Sequence, residues 1–155
     1  TSQDDSPNIR GAFMGLDLAH TRSDLIRSSM EGIAMGLRLA LDELRRLTRI
    51  GDEMVMVGGG SRSAFWRQIF SDVYDMKVVK TNIDQQAAAL GAAATIAIGL
   101  DWWKDFSIID TVHEVESEIL PDPKHNVVYE RLLPVFRKAA SSQAELGDML
   151  QKIRQ

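Results

Sequence analysis

The run EMVMVGGGSRSAFWRQIFSDVY, residues 53–74, constrains the fold of this chain more than any other stretch. A short apolar segment meets three glycines and passes directly into helical spacing, with Phe65, Ile69 and Val73 on one face. EMVMV (53–57) reads as a buried strand of ordinary length, helix follows over 63–74, and KVVKT (77–81) reads as a second strand. Strand, helix and strand in this order predict parallel β-α-β packing with layers on both faces of a sheet. The residues alone therefore predict an α/β fold with a helical tail.

The rest of the chain builds around that unit. Residues 1–10 are expected to be a linker or frayed tail, and GAFMGLD (11–17) a strand or hairpin arm between glycines. TRSD then offers a capping box, with Thr21 as N-cap and Asp24 three residues on. Ile26, Met30, Ile33, Leu37, Leu41, Leu44 and Leu47 follow at steps of three and four. This is the spacing of a long amphipathic helix, with those residues predicted to be buried and Arg38, Asp42, Arg45 and Arg46 on the wet side. Gly51 is placed to end it. Helices are further predicted over 85–98, around 107–117, and from about 126 to 152, where Pro134 is expected to kink the helix or delay its start.

Length and composition narrow the classes. A chain of 155 residues, 45% hydrophobic and 26% charged, suits one globular domain. A formal charge of -4 with no basic stripe argues against a nucleic-acid groove. The absence of cysteine excludes disulfides, thiolate metal sites and a cysteine nucleophile, and agrees with a cytoplasmic setting. No apolar run reaches the roughly 18 residues of a membrane span. The start TSQDDSPNIR is acidic and polar, unlike a signal peptide, and its lack of methionine suggests a cut-out or processed fragment.

The glycine turn is the candidate site. Gly58, Gly59 and Gly60 permit positive φ and close approach of a ligand to the backbone. The helix behind them presents unpaired N–H groups and a positive dipole end, Ser61 and Ser63 add hydroxyls, and Arg62 adds a cation. The same residues would equally make a tight strand-to-helix turn that binds nothing. A phosphate-binding P-loop is excluded because no GK[ST] occurs. A dinucleotide fingerprint, GxGxxG, would use Gly58 and Gly60, but its last glycine is Ser63 here. Asp84 lies where that motif wants an acid for the ribose, so an NAD-binding dehydrogenase domain stays open as an alternative.

Two small-residue stripes, Gly32–Gly36–Ala40 and Ala87–Gly91–Thr95, predict close helix packing, since each helical glycine costs roughly 1 kcal/mol against alanine. A flat wall of this kind could also admit a planar adenine ring. His20, His113 and His125 lack metal-ligand spacing, so no metal site is expected. Trp102 and Trp103 are expected to divide between core and loop cap rather than to stack on a sugar. The charged face of the last helix (Glu130, Arg137, Lys138) is expected to be wet.

GAFMGLDLAHTRSDLIRSSME (11–31) resembles the carboxy-terminal signature of the FGGY carbohydrate kinases. The match runs through Gly11, Phe13, Gly15 and Leu16, then Asp24, Leu25, Ser28, Ser29, Met30 and Glu31. GGGSRSAFWRQIFSDVY resembles that family's adenosine-binding turn and following helix, and AAALGAAATIAIG its later ALGAA helix, so the similarity covers about residues 7–100. GGGSRS with Trp66 and Gln68 is closer to the xylulose-kinase branch than to the glycerol-kinase branch, which carries asparagine at the position of Ser63. Gln85 and Gln86 stand where the family often has glutamate.

The resemblance implies a fold of actin-like ATPase (ribonuclease H-like) type, with residues 11–155 forming the second domain of a sugar kinase, a mixed sheet flanked by helices. It implies ATP in a cleft between two domains, contacted here by Gly58, Gly59, Gly60, Ser61 and Ser63, with Mg²⁺ held mainly by the other domain and the phosphates. The implied partners are the amino-terminal domain of the same kinase, the sugar in the interdomain cleft and a second copy of the chain as homodimer, with no nucleic acid and no membrane. The general base, the sugar site and the phosphate loops have no counterpart here, so the resemblance assigns this chain no catalytic residue and no metal ligand. Phosphoryl transfer needs both lobes of the clamp, and the isolated chain is expected to be inactive. A non-enzymatic actin-fold regulatory module is the remaining alternative.

Overall fold

The structure, a computed structural model, describes residues 6–83 and 86–153. The chain separates into two compact units, one of residues 1–50 and 124–155 and one of residues 51–123.

The first unit is built on two long helices, α1 (Arg22–Leu47) and α5 (Pro123–Ile153). The capping box predicted for α1 forms its start: Asp24 Oδ2 accepts from the Thr21 backbone N–H at 2.8 Å and from the Thr21 hydroxyl at 2.7 Å. These bonds hold the Asp24 carboxyl below its usual value. The helix stops at Leu47, with Thr48 extended as its C-cap, so Gly51 lies beyond the end rather than making it. Pro134 sits inside α5 and does not delay its start, which falls at Pro123. Residues 11–17 form no strand, because a strand needs a paired neighbour and this segment has none among the described residues.

The apolar stripe predicted to be the buried face of α1 is largely open. Ile26, Ile33, Leu37 and Leu44 are about half exposed, while the buried positions are Ala34, Met35 and Arg38. The reason is that α5 packs on the opposite face. Arg38, placed on the wet side by spacing alone, is 8% exposed and donates to Asp42 at 2.6 Å and to Glu130 of α5 at 2.9 Å. Glu130 and Arg137 are part-exposed yet turn toward α1, Arg137 donating to Asp42 at 2.9 Å. The predicted close packing at Gly32 and Gly36 is absent: a Cβ at either would meet nothing within 4 Å among the described residues. The close approach is elsewhere. A Cβ at Gly147 would stand 2.3 Å from the Asn8 carbonyl, where Ser6 and Asn8 both donate to Asp148 (2.5 and 2.8 Å) and lay the segment before α1 on α5. These bonds hold the Asp148 carboxyl below its usual value.

The second unit contains β1 (Glu53–Val55), a 3₁₀ turn (Gly59–Arg62), α2 (Ala64–Tyr74), β2 (Lys77–Thr81), α3 (Ala87–Gly99), α4 (Ser107–Val112) and β3 (Val115–Ile119). The sheet order is β1-β2-β3. β1 and β2 are parallel, as the β-α-β reading predicts, pairing Glu53 with Lys77 and Val55 with Val79. β3 runs antiparallel to β2, pairing Val78 with Ile119, with a register shift at Lys80/Thr81, so the sheet is mixed. The helix predicted around 107–117 is therefore two elements. VESEI is a strand because of its long-range ladder with β2, and lysine–glutamate pairs across that ladder (Lys77 with Glu118 at 3.0 Å, Lys80 with Glu116) reinforce it.

α2 carries the core of this unit. Ile69, Phe70, Val73 and Tyr74 are buried, Trp66 stacks on Phe70 at 6.2 Å, and Phe70 meets Tyr74 edge-on at 5.4 Å. Buried polar groups fasten the helix to β3 and its exit. Ser71 donates to the Met76 carbonyl at 2.7 Å, Arg67 donates to Ser117, and Asp72 accepts from Gln68 at 2.7 Å and from the Asp122 N–H at 2.8 Å. Neither tryptophan of the 102–103 pair is in the core: Trp102 is 75% exposed and Trp103 half-buried.

Candidate functional site

The glycine turn joins β1 to α2 with each residue in a distinct position. Gly58 has φ +81°, a left-handed conformation that glycine reaches without strain. Its carbonyl accepts from both the N–H (3.1 Å) and the hydroxyl (2.7 Å) of Ser61, whose side chain is fully buried. Ser61 thus locks the turn from the inside, a role its residue type did not reveal. A Cβ at Gly60 would fall 3.0 Å from Met56 Cε and 3.8 Å from Trp66, so the Trp66 ring supports the turn from below.

Ser63 is the N-cap of α2: its hydroxyl oxygen accepts from the Trp66 N–H at 3.2 Å. In this bond Ser63 acts only as acceptor. Gly59 is exposed, and a Cβ there would meet nothing within 4 Å among the described residues. The five residues therefore divide. Gly58, Gly60 and Ser61 build the turn, Ser63 caps the helix, and Gly59 is exposed backbone at the start of the 3₁₀ turn that leads into α2.

The other candidates are less concentrated. His20 makes a local contact in the 11–31 stretch, its Nδ1 2.8 Å from Asp17 Oδ1 and 3.0 Å from the Asp17 N–H. No group of three or more His, Asp or Glu among the described residues could hold a metal ion. Asp84, the ribose acid of the dinucleotide alternative, and Gln85 lie outside the described residues. Gln86 is the N-cap residue of α3 and makes no side-chain cap bond. A Cβ at Gly91 would meet nothing within 4 Å among the described residues, so the α3 stripe also lacks its predicted close neighbour. No described helix is long and apolar enough to cross a membrane.

Comparison with known proteins agrees with this arrangement. A xylulose kinase of Staphylococcus epidermidis is 30% identical over 147 residues, which is 92% of this chain and 29% of that protein. Among solved structures, the ligand-bound xylulose kinase of Lactobacillus acidophilus aligns with TM-score 0.78 and 27% identity over 88% of this chain and 28% of its own. The gluconate kinase of the same organism gives 0.77 and 27%, with the same coverage. The chain thus spans under a third of the length of these relatives. Its fold is the α/β, actin-like ATPase fold of these kinases, with a mixed sheet and a helical C-terminal region. The sequence pattern of the FGGY family of carbohydrate kinases, C-terminal domain, matches residues 2–100, and the chain belongs to that family.

Proposed function

We propose that residues 11–155 are the nucleotide-binding half of an ATP-dependent, cytoplasmic carbohydrate kinase that phosphorylates a hydroxyl of xylulose or a related ketose or polyol. The observation that carries this reading is the opening at Gly59, the first residue of the 3₁₀ turn that leads to the capped N-terminus of α2 on a parallel β-α-β unit. A nucleoside can lie against bare backbone there without displacing a side chain. Gly58 and Gly60 hold the turn in shape, and Ser63 offers its hydroxyl proton to the adenosine. ATP supplies the phosphoryl group. Mg²⁺ is held in this reading mainly by its phosphates and the amino-terminal domain. The partners in this reading are that domain of the same polypeptide, the sugar between the two domains and a second copy of the chain. Family membership favours this over the NAD-binding and purely structural alternatives.

Calorimetric titration tests it. Gly59 has no positive φ and open space at its Cβ, so Gly59→Val is expected to leave the melting temperature unchanged. The same variant is expected to weaken adenine-nucleotide binding at least tenfold, a loss of about 1.4 kcal/mol. Unchanged nucleotide affinity in the folded variant would sink the adenosine-side role. The purified 155-residue chain is expected to produce no ADP with sugar present, and robust sugar-dependent turnover would overturn the half-site reading.

A further inference from the structure

Trp66 occupies a position that burial alone does not explain. Its indole Nε1 is buried and meets no acceptor among the described residues. A buried indole N–H ordinarily finds a partner, and leaving one unpaired opposes folding. Trp66, Phe70 and Tyr74 recur at steps of four along α2, each ring against the next, with Phe70 and Tyr74 only 7% and 6% exposed. Phenylalanine at 66 would extend this column without an unpaired N–H.

What phenylalanine lacks is the second ring, and this ring meets the glycine turn. A Cβ built on Gly60 would fall 3.8 Å from Trp66 Cε3 and 3.0 Å from Met56 Cε. Both neighbours have fixed backbones. The Met56 N–H donates to the Val79 carbonyl of β2 at 2.9 Å, and the Trp66 N–H donates to Ser63 Oγ at 3.2 Å. Gly60 is therefore held from two sides, one residue after the exposed Gly59.

We propose that Trp66 is a positioning residue of the nucleotide site. The outer ring of its indole holds Gly60, and through it Gly58 and Gly59, in the shape that receives the adenosine. The inference rests on the nucleotide-binding reading above and adds to it a residue that does not touch the ligand. A turn with nothing behind Gly60 spends part of its time in other shapes. The apparent dissociation constant then rises by the inverse of the fraction that stays competent. The reach of the ring carries the effect, and its N–H does not.

ADP titration of the full polypeptide that carries this chain tests the assignment. Trp66→Phe is expected to raise the Kd about fivefold, the turn then keeping its binding shape about a fifth of the time. Its melting temperature without nucleotide is expected to stay close to the native one, because the unpaired N–H leaves together with the apolar ring. Benzothienylalanine at position 66 keeps both rings but has no N–H, and is expected to bind ADP as tightly as tryptophan does. In protein labelled with 4-fluorotryptophan, the fluorine of residue 66 sits on Cε3, the atom nearest Gly60. Its resonance, assigned by its absence from the benzothienylalanine protein, is expected to shift as ADP saturates. Native affinity in folded Trp66→Phe, or equal weakening by benzothienylalanine, would overturn the positioning role and leave the nucleotide reading standing. Should Trp66→Phe fail to fold, a fluorine resonance indifferent to ADP would overturn that role instead. No ADP binding by the native protein would overturn the nucleotide reading and this proposal together.

Discussion

Asp42→Ala is expected to destabilise the α1–α5 unit by about 3 kcal/mol, because it leaves a buried guanidinium without its nearest carboxylate. Asp42 accepts from Arg38 Nε at 2.6 Å and from Arg137 at 2.9 Å, with Arg45 at 3.7 Å. The Arg38 side chain is 10% exposed. Burial pulls its pKa down, but the bonds and charges of Asp42 and Glu130 outweigh this and hold it above its ordinary value. Glu130, which also accepts from Arg38, has a side chain 47% exposed, so water screens its attraction. Glu43 provides the internal control. Its pair with Arg46 at 2.8 Å has side chains 56% and 68% exposed. Glu43→Ala is therefore expected to cost under about 1 kcal/mol. Urea unfolding monitored by circular dichroism reads both. Equal midpoints for the two variants would show that burial does not strengthen the Asp42 network.

Tyr129 is expected to give the unit an alkaline weakness that Tyr129→Phe removes. Its hydroxyl donates to Glu31 at 2.8 Å, the same oxygen that takes Arg27 Nε at 2.7 Å, and the residue is 6% exposed. Burial first, then the bond to Glu31, push the phenol up to about 12 against the opposing pull of Arg27. The folded state therefore keeps a proton that the unfolded chain releases near pH 10. Below pH 10 the contribution to stability is fully present. Between pH 10 and 12 it declines by about 1.4 kcal/mol per pH unit, to a total loss of roughly 2–3 kcal/mol. Tyr129→Phe is expected to cost about 1 kcal/mol at neutral pH through the lost hydrogen bond. Across pH 10–12 its unfolding free energy should then fall less than that of the native protein. Parallel curves for the two proteins would show that Tyr129 does not carry the alkaline loss.

Much of this structure was legible locally. The capping box of Thr21 and Asp24 and the 64–74 helix depend on interactions within a few residues, so short windows contain their causes, and KVVKT shows as a strand by its β-branched residue types. VESEI did not announce itself, because its ladder to β2 lies about forty residues away and its glutamates resemble a wet helix. The glycine turn was visible as a turn between strand and helix, but not the division of labour within it. Ser61 and Ser63 are the same residue type two positions apart, yet one hydroxyl is buried against Gly58 and the other caps α2.

What the sequence determined by itself is the long capped helix, the strand–turn–helix–strand unit of residues 53–81 and family membership, since spacing and motif are properties of neighbouring residues. Only the tertiary structure decided which faces are used. Periodicity shows that α1 has an apolar stripe but not what meets it. The buried positions are instead Ala34, Met35 and Arg38, and a buried arginine is tolerable there because two acids, Asp42 of α1 and Glu130 of α5, reach it. The same holds at the turn: glycine at 59 permits open backbone, but only the surrounding packing decides that nothing among the described residues comes within 4 Å of its Cβ position.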